Sequence, residues 1–259
     1  MNKGICLYAL IPARKEPSDK AELVTEILFG ETYIVLEVND KWLLITTLFD
    51  NYTCWIDKKQ HHPITDDSLY IGIRAKRLIE WITEKTSGLT FPVPIGSMIP
   101  AENQYFVVGE RMYSPAKDEQ SASNFDILDY AKTFLNTPYR WGGKSPMGID
   151  CSGFAQVIFS LKQVGLPRDA YQQAECGELV SFIDQAQPGD LAFFDNPEGR
   201  ITHVGIILSN APGEFEIIHA SGKVKIDRLD HAGIFDTQTG VYTHNLRLIR
   251  RVTDSVNFQ

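Results

Sequence analysis

The stretch that most constrains this chain runs from Pro138 to Phe154 and reads PYRWGGKSPMGIDCSGF. Gly142, Gly143, Pro146 and Gly148 crowd a turn, which delivers Asp150-Cys151-Ser152-Gly153 to the start of a helical pattern. Phe154, Val157, Ile158, Leu161 and Val164 recur every three or four residues, one apolar face of a helix, and Gly165 with Pro167 stops it. Cys151 therefore falls at or beside a helix N-terminus. Unsatisfied N–H groups and the positive end of the macrodipole there favour thiolate over thiol, which makes a usable nucleophile once a base stands beside it.

Downstream, His203 lies in ITHVGIIL and His219 in EFEIIHASG, two strand-like runs separated by the turn-forming residues Ser209 to Gly213. A hairpin centred on Ala211 sets His203 directly opposite His219, about 5 Å apart on one face of a sheet. One imidazole then serves as base and the other orients it. A buried cysteine alone is usually a small hydrophobe, and a strand histidine alone is usually a hydrogen-bonded core residue. Taken together, in the order Cys, His, His with the cysteine at a helix start, they have the composition of a thiol acyl-transfer triad.

These residues also carry a resemblance. The segments 139–143 (YRWGG), 150–154 (DCSGF), 188–194 (PGDLAFF), 203–206 (HVGI) and 219–221 (HAS) resemble, in order, the motifs of the NlpC-type cysteine peptidases, papain-like enzymes that cut bacterial cell-wall peptides. The resemblance spans residues 124 to 251. It implies Cys151 as nucleophile, His203 as general base and His219 as the orienting third residue. It also implies an α+β, papain-like catalytic domain, with helices, the cysteine helix among them, packed on an antiparallel sheet.

Residues 1–64 read mostly as strand and turn. Ile5 to Ala13, Ala21 to Val24, Tyr33 to Val38, Trp42 to Thr47 and Tyr52 to Ile56 are short strand-like runs broken at Phe29-Gly30, Asn39-Asp40 and Asp50-Asn51, the pattern of a small barrel. Leu28-Phe29-Gly30-Glu31, Trp42 and Trp55 resemble a bacterial SH3-like domain. Over 65–122, Leu69, Ile71 and Ile73 alternate, Leu78, Ile79 and Ile82 have helical spacing, and strand-like runs return at Pro92 to Gly96 and Tyr105 to Glu110. A second, degenerate SH3-like module followed by a polar linker, Lys117 to Ser123, is expected there. The catalytic domain is expected over 123–259, opening with a helix through Ile127, Leu128, Ala131, Phe134 and Leu135 capped by Ser123 or Asn124.

The formal net charge of −8 argues against nucleic acid or an anionic membrane surface as partner, since both need clustered Lys and Arg. No apolar run approaches the ~20 residues of a membrane span. The apolar patch Ile5 to Ala13 is short for a signal segment and runs straight into Arg14-Lys15-Glu16, so a cytoplasmic protein is expected, with export still open. Cys6, Cys54, Cys151 and Cys176 form no CxxC pair and no zinc-type spacing, and the adjacent His61 and His62 point apart on an extended chain. No metal and no organic cofactor are expected.

A subset of the resembling peptidases, which includes dipeptidyl-peptidase VI, uses SH3-like residues to close the cleft around a free N-terminal L-Ala and cuts L-Ala-γ-D-Glu from the following diamino acid during muropeptide recycling. That resemblance implies a peptidoglycan-derived peptide as partner and Asp169, after Arg168, as partner of the substrate ammonium. Ala170 departs from the subset, which has Ser there. Glu16 and Tyr52 are candidates for further amine contacts, although a glutamate after Arg-Lys is more often simply solvated. Asp150 and Ser152 are implied to brace the helix start and a substrate carboxylate. Tyr139 either adds a hydroxyl to the oxyanion site or packs beneath it, and Trp141 is open to the same two readings. Three other functions stay open: an N-acetylmuramoyl-L-alanine amidase, an acyltransferase or deamidase on the same fold, and a non-catalytic wall-binding protein.

Overall fold

The computed structural model describes residues 3–65, 71–116, 125–211 and 214–253. It divides into two units, Met1–Asn124 with Trp141–Pro146, and Phe125–Arg140 with Met147–Gln259.

In the first unit, β1 (Lys3–Ile5), β2 (Leu10–Arg14), β3 (Leu23–Leu28), β4 (Thr32–Val38), β5 (Trp42–Thr47), β6 (Thr53–Asp57) and β7 (His62–Ile64) form one antiparallel sheet in the order β3-β2-β6-β5-β4-β1-β7. The apolar run at the N-terminus is thus two strands rather than one, broken between Ile5 and Leu10. Alternation buries Ile11 and Ala13 of β2, Leu43 and Ile45 of β5 and Cys54 and Ile56 of β6 around Tyr33.

The strands β8 (Gly72–Arg74), β9 (Ile79–Glu84), β10 (Thr90–Pro94), β11 (Met98–Pro100), β12 (Phe106–Val108) and β13 (Arg111–Pro115) follow. They make a four-stranded sheet, β10-β9-β13-β12, and the pair β11-β8. The helical spacing of Leu78, Ile79 and Ile82 is overruled. The segment is strand β9, because Ile79, Ile82 and Thr83 are β-branched and pair across a ladder with Pro94, Phe91 and Thr90. Ile5, Leu7 and Phe29 of the first sheet share a core with Ile82, Val93, Phe106 and Tyr113, so residues 1–64 and 65–122 are joined by a common apolar cluster. Leu69, the Lys117–Ser123 linker and the caps Ser123 and Asn124 lie outside the described residues.

Residues 141–146, expected within the catalytic domain, group instead with the first unit, and β14 (Lys144–Ser145) belongs there. The Lys144 backbone N–H donates to Glu26 Oε2 at 2.8 Å, and its ammonium lies 3.4 Å from Glu31 Oε2. Arg74 reaches the other Glu31 oxygen at 3.0 Å. Burial works against the Glu31 charge, but Lys144 and Arg74 hold its carboxyl below the usual range. Gly142 makes this approach possible. Its φ of +76° is left-handed, and a Cβ there would sit 2.4 Å from the Leu23 carbonyl oxygen.

The second unit contains α1 (Ile127–Thr133), β15 (Gly148–Ile149), α2 (Cys151–Ser160), α3 (Ala170–Gln173), β16 (Glu178–Val180), β17 (Leu191–Asp195), β18 (Ile201–Ala211), β19 (Glu214–Ser221), β20 (Lys223–Asp230), β21 (Gly233–Asp236) and β22 (Val241–Arg251). Asp126 caps α1, its carboxylate accepting from the N–H groups of Leu128 and Asp129 at 2.8 Å. The sheet runs β16-β22-β17-β18-β19-β20-β21, and β21 pairs back onto β22. Six antiparallel strands therefore close into a barrel, with β16 added outside it. This departs from the simple α+β layout of helices on an open sheet, because the strands dominate and the sheet has closed on itself. Ala192, Phe194, Ile207, Ile217, Leu229, Ile234 and Ile249 share one face of it and form its core.

The close fit at Gly142 yields a prediction. Gly142→Ala forces a left-handed residue with a side chain against a carbonyl and lowers stability by roughly 1–3 kcal/mol in a urea unfolding curve; an unchanged midpoint would refute the packing described for residues 141–146.

Candidate active site

Cys151 opens α2, all ten of whose residues are buried. Asp150 is the N-cap, its Oδ1 accepting from the Gly153 N–H at 2.7 Å. A residue that sequence reasoning passed over holds this start in place. The guanidinium of Arg168, 1% exposed, forks onto Asp150 Oδ1 at 3.1 Å and Oδ2 at 2.6 Å and also donates to Ser152 Oγ at 2.9 Å. Gln173 Nε2 donates to the carbonyls of Ser152 and Pro167, at 3.0 and 2.8 Å. The segment after α2 is thereby stitched back onto the first turn of the helix. A rigid planar fork suits this position, where a lysine would supply one point charge.

The Cys151 sulfur is 6% exposed and lies 3.9 Å from the carbonyl oxygen of Thr202. Burial, and then the Asp150 carboxylate, push its thiol up to about 12, although Arg168 and the N–H groups of Val204 and Ser152 pull the other way. The thiolate preference expected from the helix start is therefore outweighed by burial. The cysteine rests as a thiol.

The two histidines are neighbours, but not through the expected register. His219 pairs with Gly205, because the ladder runs on until Ala211 faces Glu214 and so does not turn on Ala211. A bulge between Ile207 and Ser209 then shifts the pairing by one residue, and His203 stands diagonally from His219 rather than opposite it. Both still share one face of the sheet. His203 Nε2 meets His219 Nδ1 at 2.8 Å. Gly205 keeps this diagonal open: a Cβ there would fall 2.9 Å from the His219 Cβ and 2.6 Å from Ile217 Cδ1.

Beyond His219 the network continues. His219 Nε2 meets Asp227 Oδ2 at 3.0 Å, and Lys225 binds that same oxygen at 2.8 Å and Asp236 at 2.9 Å. An ionised carboxylate only accepts, so His219 donates from Nε2 and accepts at Nδ1. His203 must then donate from Nε2, which leaves its Nδ1 as an unprotonated base. Burial works against the charge on Asp227, yet His219 and Lys225 hold its carboxyl below the usual range. Burial, then His219 and His244, push His203 well below an ordinary imidazole, and burial does the same to His219 against the pull of Asp227. Such a set is able to take a proton from a neighbouring thiol without a resting charge in a buried site.

Of the other expected site residues, Tyr139 is half-buried in the same unit, its hydroxyl pushed up by burial and by neighbouring Cys151 and Asp150. Asp150 and Ser152 are buried and both are engaged by Arg168. Asp169 stands at the start of α3, its backbone N–H donating to Gln172 Oε1 at 3.3 Å. Glu16, Tyr52 and Trp141 belong to the first unit. Glu16 is exposed, Tyr52 is half-buried against the core around Tyr33, and the exposed Trp141 donates its indole N–H to Glu22 at 2.7 Å. Asp227 and His244 were not anticipated.

The Arg168 fork generates a prediction. Arg168→Met leaves the buried Asp150 carboxylate without its counter-charge and lowers stability by roughly 3–5 kcal/mol in chemical denaturation; a loss under about 1 kcal/mol would show the pair to be dispensable.

The geometry can be set beside known proteins. The NlpC/P60 family model matches residues 136–243, and that of the bacterial dipeptidyl-peptidase SH3 domain matches residues 13–60. The gamma-D-glutamyl-L-lysine dipeptidyl-peptidase of Bacillus subtilis (strain 168) is 34% identical over 205 residues, which cover 71% of this chain and 69% of that protein. Dipeptidyl-peptidase 6 of Lysinibacillus sphaericus is 29% identical over 251 residues, covering 83% and 87%. A crystal structure of an NlpC/P60 family protein from Bacillus cereus ATCC 10987 is alike in fold, with a TM-score of 0.77 at 18% identity over 96% of this chain and 99% of that one. The chain belongs to the NlpC/P60 family of cysteine peptidases, and carries a bacterial dipeptidyl-peptidase SH3 domain ahead of its peptidase domain.

Proposed function

We propose that this peptidase hydrolyses the γ-D-glutamyl-diamino acid bond of peptidoglycan stem peptides and requires a free N-terminal L-Ala. The observation that carries the chemistry is the aligned set His203, His219 and Asp227 in the unit that buries Cys151 at a capped helix start. The choice of bond is supported by the names of the two relatives, which are dipeptidyl-peptidases matching 71% and 83% of this chain.

In this reading Cys151 attacks the γ-carbonyl of D-Glu as His203 Nδ1 takes the thiol proton. His219 and Asp227 steady the imidazolium that forms. The backbone N–H groups at the start of α2, together with the Tyr139 hydroxyl, stabilise the tetrahedral oxyanion. His203 then returns the proton to the departing amine of the diamino acid, and water hydrolyses the thioester to release L-Ala-γ-D-Glu.

The free-amine requirement rests on Asp169 at the start of α3, which would pair with the L-Ala ammonium by a charge-assisted bond that an acylated nitrogen cannot make. Such a substrate arises from turnover of the wall, and the four buried free cysteines suit a reducing compartment, so the proposed place of action is the cytoplasm.

Mass spectrometry of purified protein with L-Ala-γ-D-Glu-L-Lys and L-Ala-γ-D-Glu-diaminopimelate, each free and N-acetylated, tests this directly. The expected result is L-Ala-γ-D-Glu from the free peptides alone, with turnover by Cys151→Ala lower by on the order of 10⁴-fold or more. Equal cleavage of the acetylated peptides would overturn the free-amine reading, and undiminished activity in Cys151→Ala would overturn the thiol mechanism.

A further inference from the structure

The relay uses two histidines, yet the barrel brings three together. Among the described residues, one ring nitrogen from each of His203, His219 and His244 lies within 4.8 Å of the others. They come from three strands, β18, β19 and β22, in the closed barrel. The His244 ring stacks on His203 with centroids 4.1 Å apart and an interplanar angle of 25°, and it meets His219 edge-on at 5.7 Å and 86°. Nothing in the acyl-transfer chemistry requires this third imidazole.

Its outer hydrogen bonds show what it is suited to. The Thr243 hydroxyl donates to the Ile234 carbonyl at 3.4 Å and so accepts from His244 Nδ1–H at 2.9 Å, leaving His244 Nε2 with a free lone pair. Asp227 likewise holds His219 at Nε2, so its Nδ1 carries a lone pair, which in the resting relay accepts from His203 Nε2. Imidazoles pinned at one nitrogen by a carboxylate or hydroxyl and open at the other are how histidines are presented to metals. The donor set is nitrogen only and borderline in softness, which suits Zn²⁺, Cu²⁺ or Ni²⁺ and not Mg²⁺ or Ca²⁺.

We propose that His203, His219 and His244 form a binding site for a divalent d-block cation, Zn²⁺ foremost, and that the bound cation switches the peptidase off. The site itself stands on the geometry of the three rings; the inhibitory consequence rests on the cysteine-peptidase reading above. For His203 Nε2 to bind the metal, its proton moves to Nδ1, with no net gain or loss of protons. His203 then presents an N–H where it had presented a lone pair, and the thiol has no base. The 2.8 Å between His203 Nε2 and His219 Nδ1 must open by about half an ångström to admit bonds of about 2.0–2.1 Å, and the His244 ring must turn out of its stack on His203 so that its in-plane lone pair points at the same ion.

The test is calorimetric titration of ZnCl₂ into the full chain as wild type, Cys151→Ala and His244→Phe. One equivalent is expected to bind the first two alike. His244→Phe should bind weaker by on the order of 100-fold, since loss of an outer-shell partner alone costs about 10–100-fold. In the peptide assay ZnCl₂ should stop the wild type, EDTA should restore it, and the rate His244→Phe shows without metal should be unchanged by ZnCl₂. Zinc binding by Cys151→Ala supports the site even if the chain cleaves no peptide, which separates failure of the function from failure of the site. Binding lost in Cys151→Ala but intact in His244→Phe would place the metal on the thiol and overturn the proposal, as would absence of binding by the wild type. If His244→Phe does not fold, CoCl₂ added to Cys151→Ala decides: intense visible bands of tetrahedral Co²⁺ support the three-histidine site, and the pale spectrum of the free aqueous ion overturns it.

Discussion

The hydrogen bond between His203 and His219 is the interaction on which the rest of this site depends, and its direction is set two residues away. Asp227, held ionised by Lys225, accepts from His219 Nε2, and that acceptance fixes which nitrogen of each ring carries a proton. Without the carboxylate either tautomer of His219 would serve, and His203 would present a lone pair to the thiol only part of the time. The sheet supplies the distances. Residues alternating along β18, β19 and β20 share one face, the bulge between Ile207 and Ser209 brings His203 and His219 onto it together, and the bare backbone of Gly205 leaves the diagonal clear.

The nucleophile depends on a different kind of restraint. Its helix is short, fully buried and begins at an aspartate, so its first turn needs both a cap and a counter-charge. Arg168 provides the counter-charge by returning to Asp150 and Ser152 after the helix has ended. Burial then keeps Cys151 and His203 neutral together, so the ion pair needed for attack forms when the proton moves and does not persist in the resting enzyme. A neutral resting pair protects the thiol from adventitious chemistry, since the thiolate is the reactive form.

Much of this was legible beforehand, and the residues that were not share a cause. The turn ahead of Cys151, the periodic face of α2 and the runs that form β18 and β19 are local patterns, which sequence records directly. The histidine register differs because Ala211 is still in the ladder, facing Glu214, where the hairpin was expected to turn, and the one-residue bulge at Leu208, which no composition marks, makes up only part of the offset. Asp227 was hidden because β20 buries it while exposing Ile226, the reverse of what hydropathy suggests. Residues 141–146 lie within the span that the NlpC/P60 family model matches, yet they pack in the first unit because Lys144 finds Glu26 and Glu31 more than a hundred positions away, a pairing that spacing cannot express. His244 enters only through closure of the barrel, which pairs β21 with β22.

The central claim, that Asp227 dictates the protonation pattern through His219 to His203, is open to one direct measurement. Nitrogen NMR of the ¹⁵N-histidine-labelled protein near neutral pH reads the state of each ring nitrogen. The account predicts both His203 and His219 protonated at Nε2 with bare Nδ1, and a mixture of tautomers in Asp227→Asn. Protonation of His203 at Nδ1 in the wild type would contradict it, because the thiol would then face a donor where the mechanism requires an acceptor.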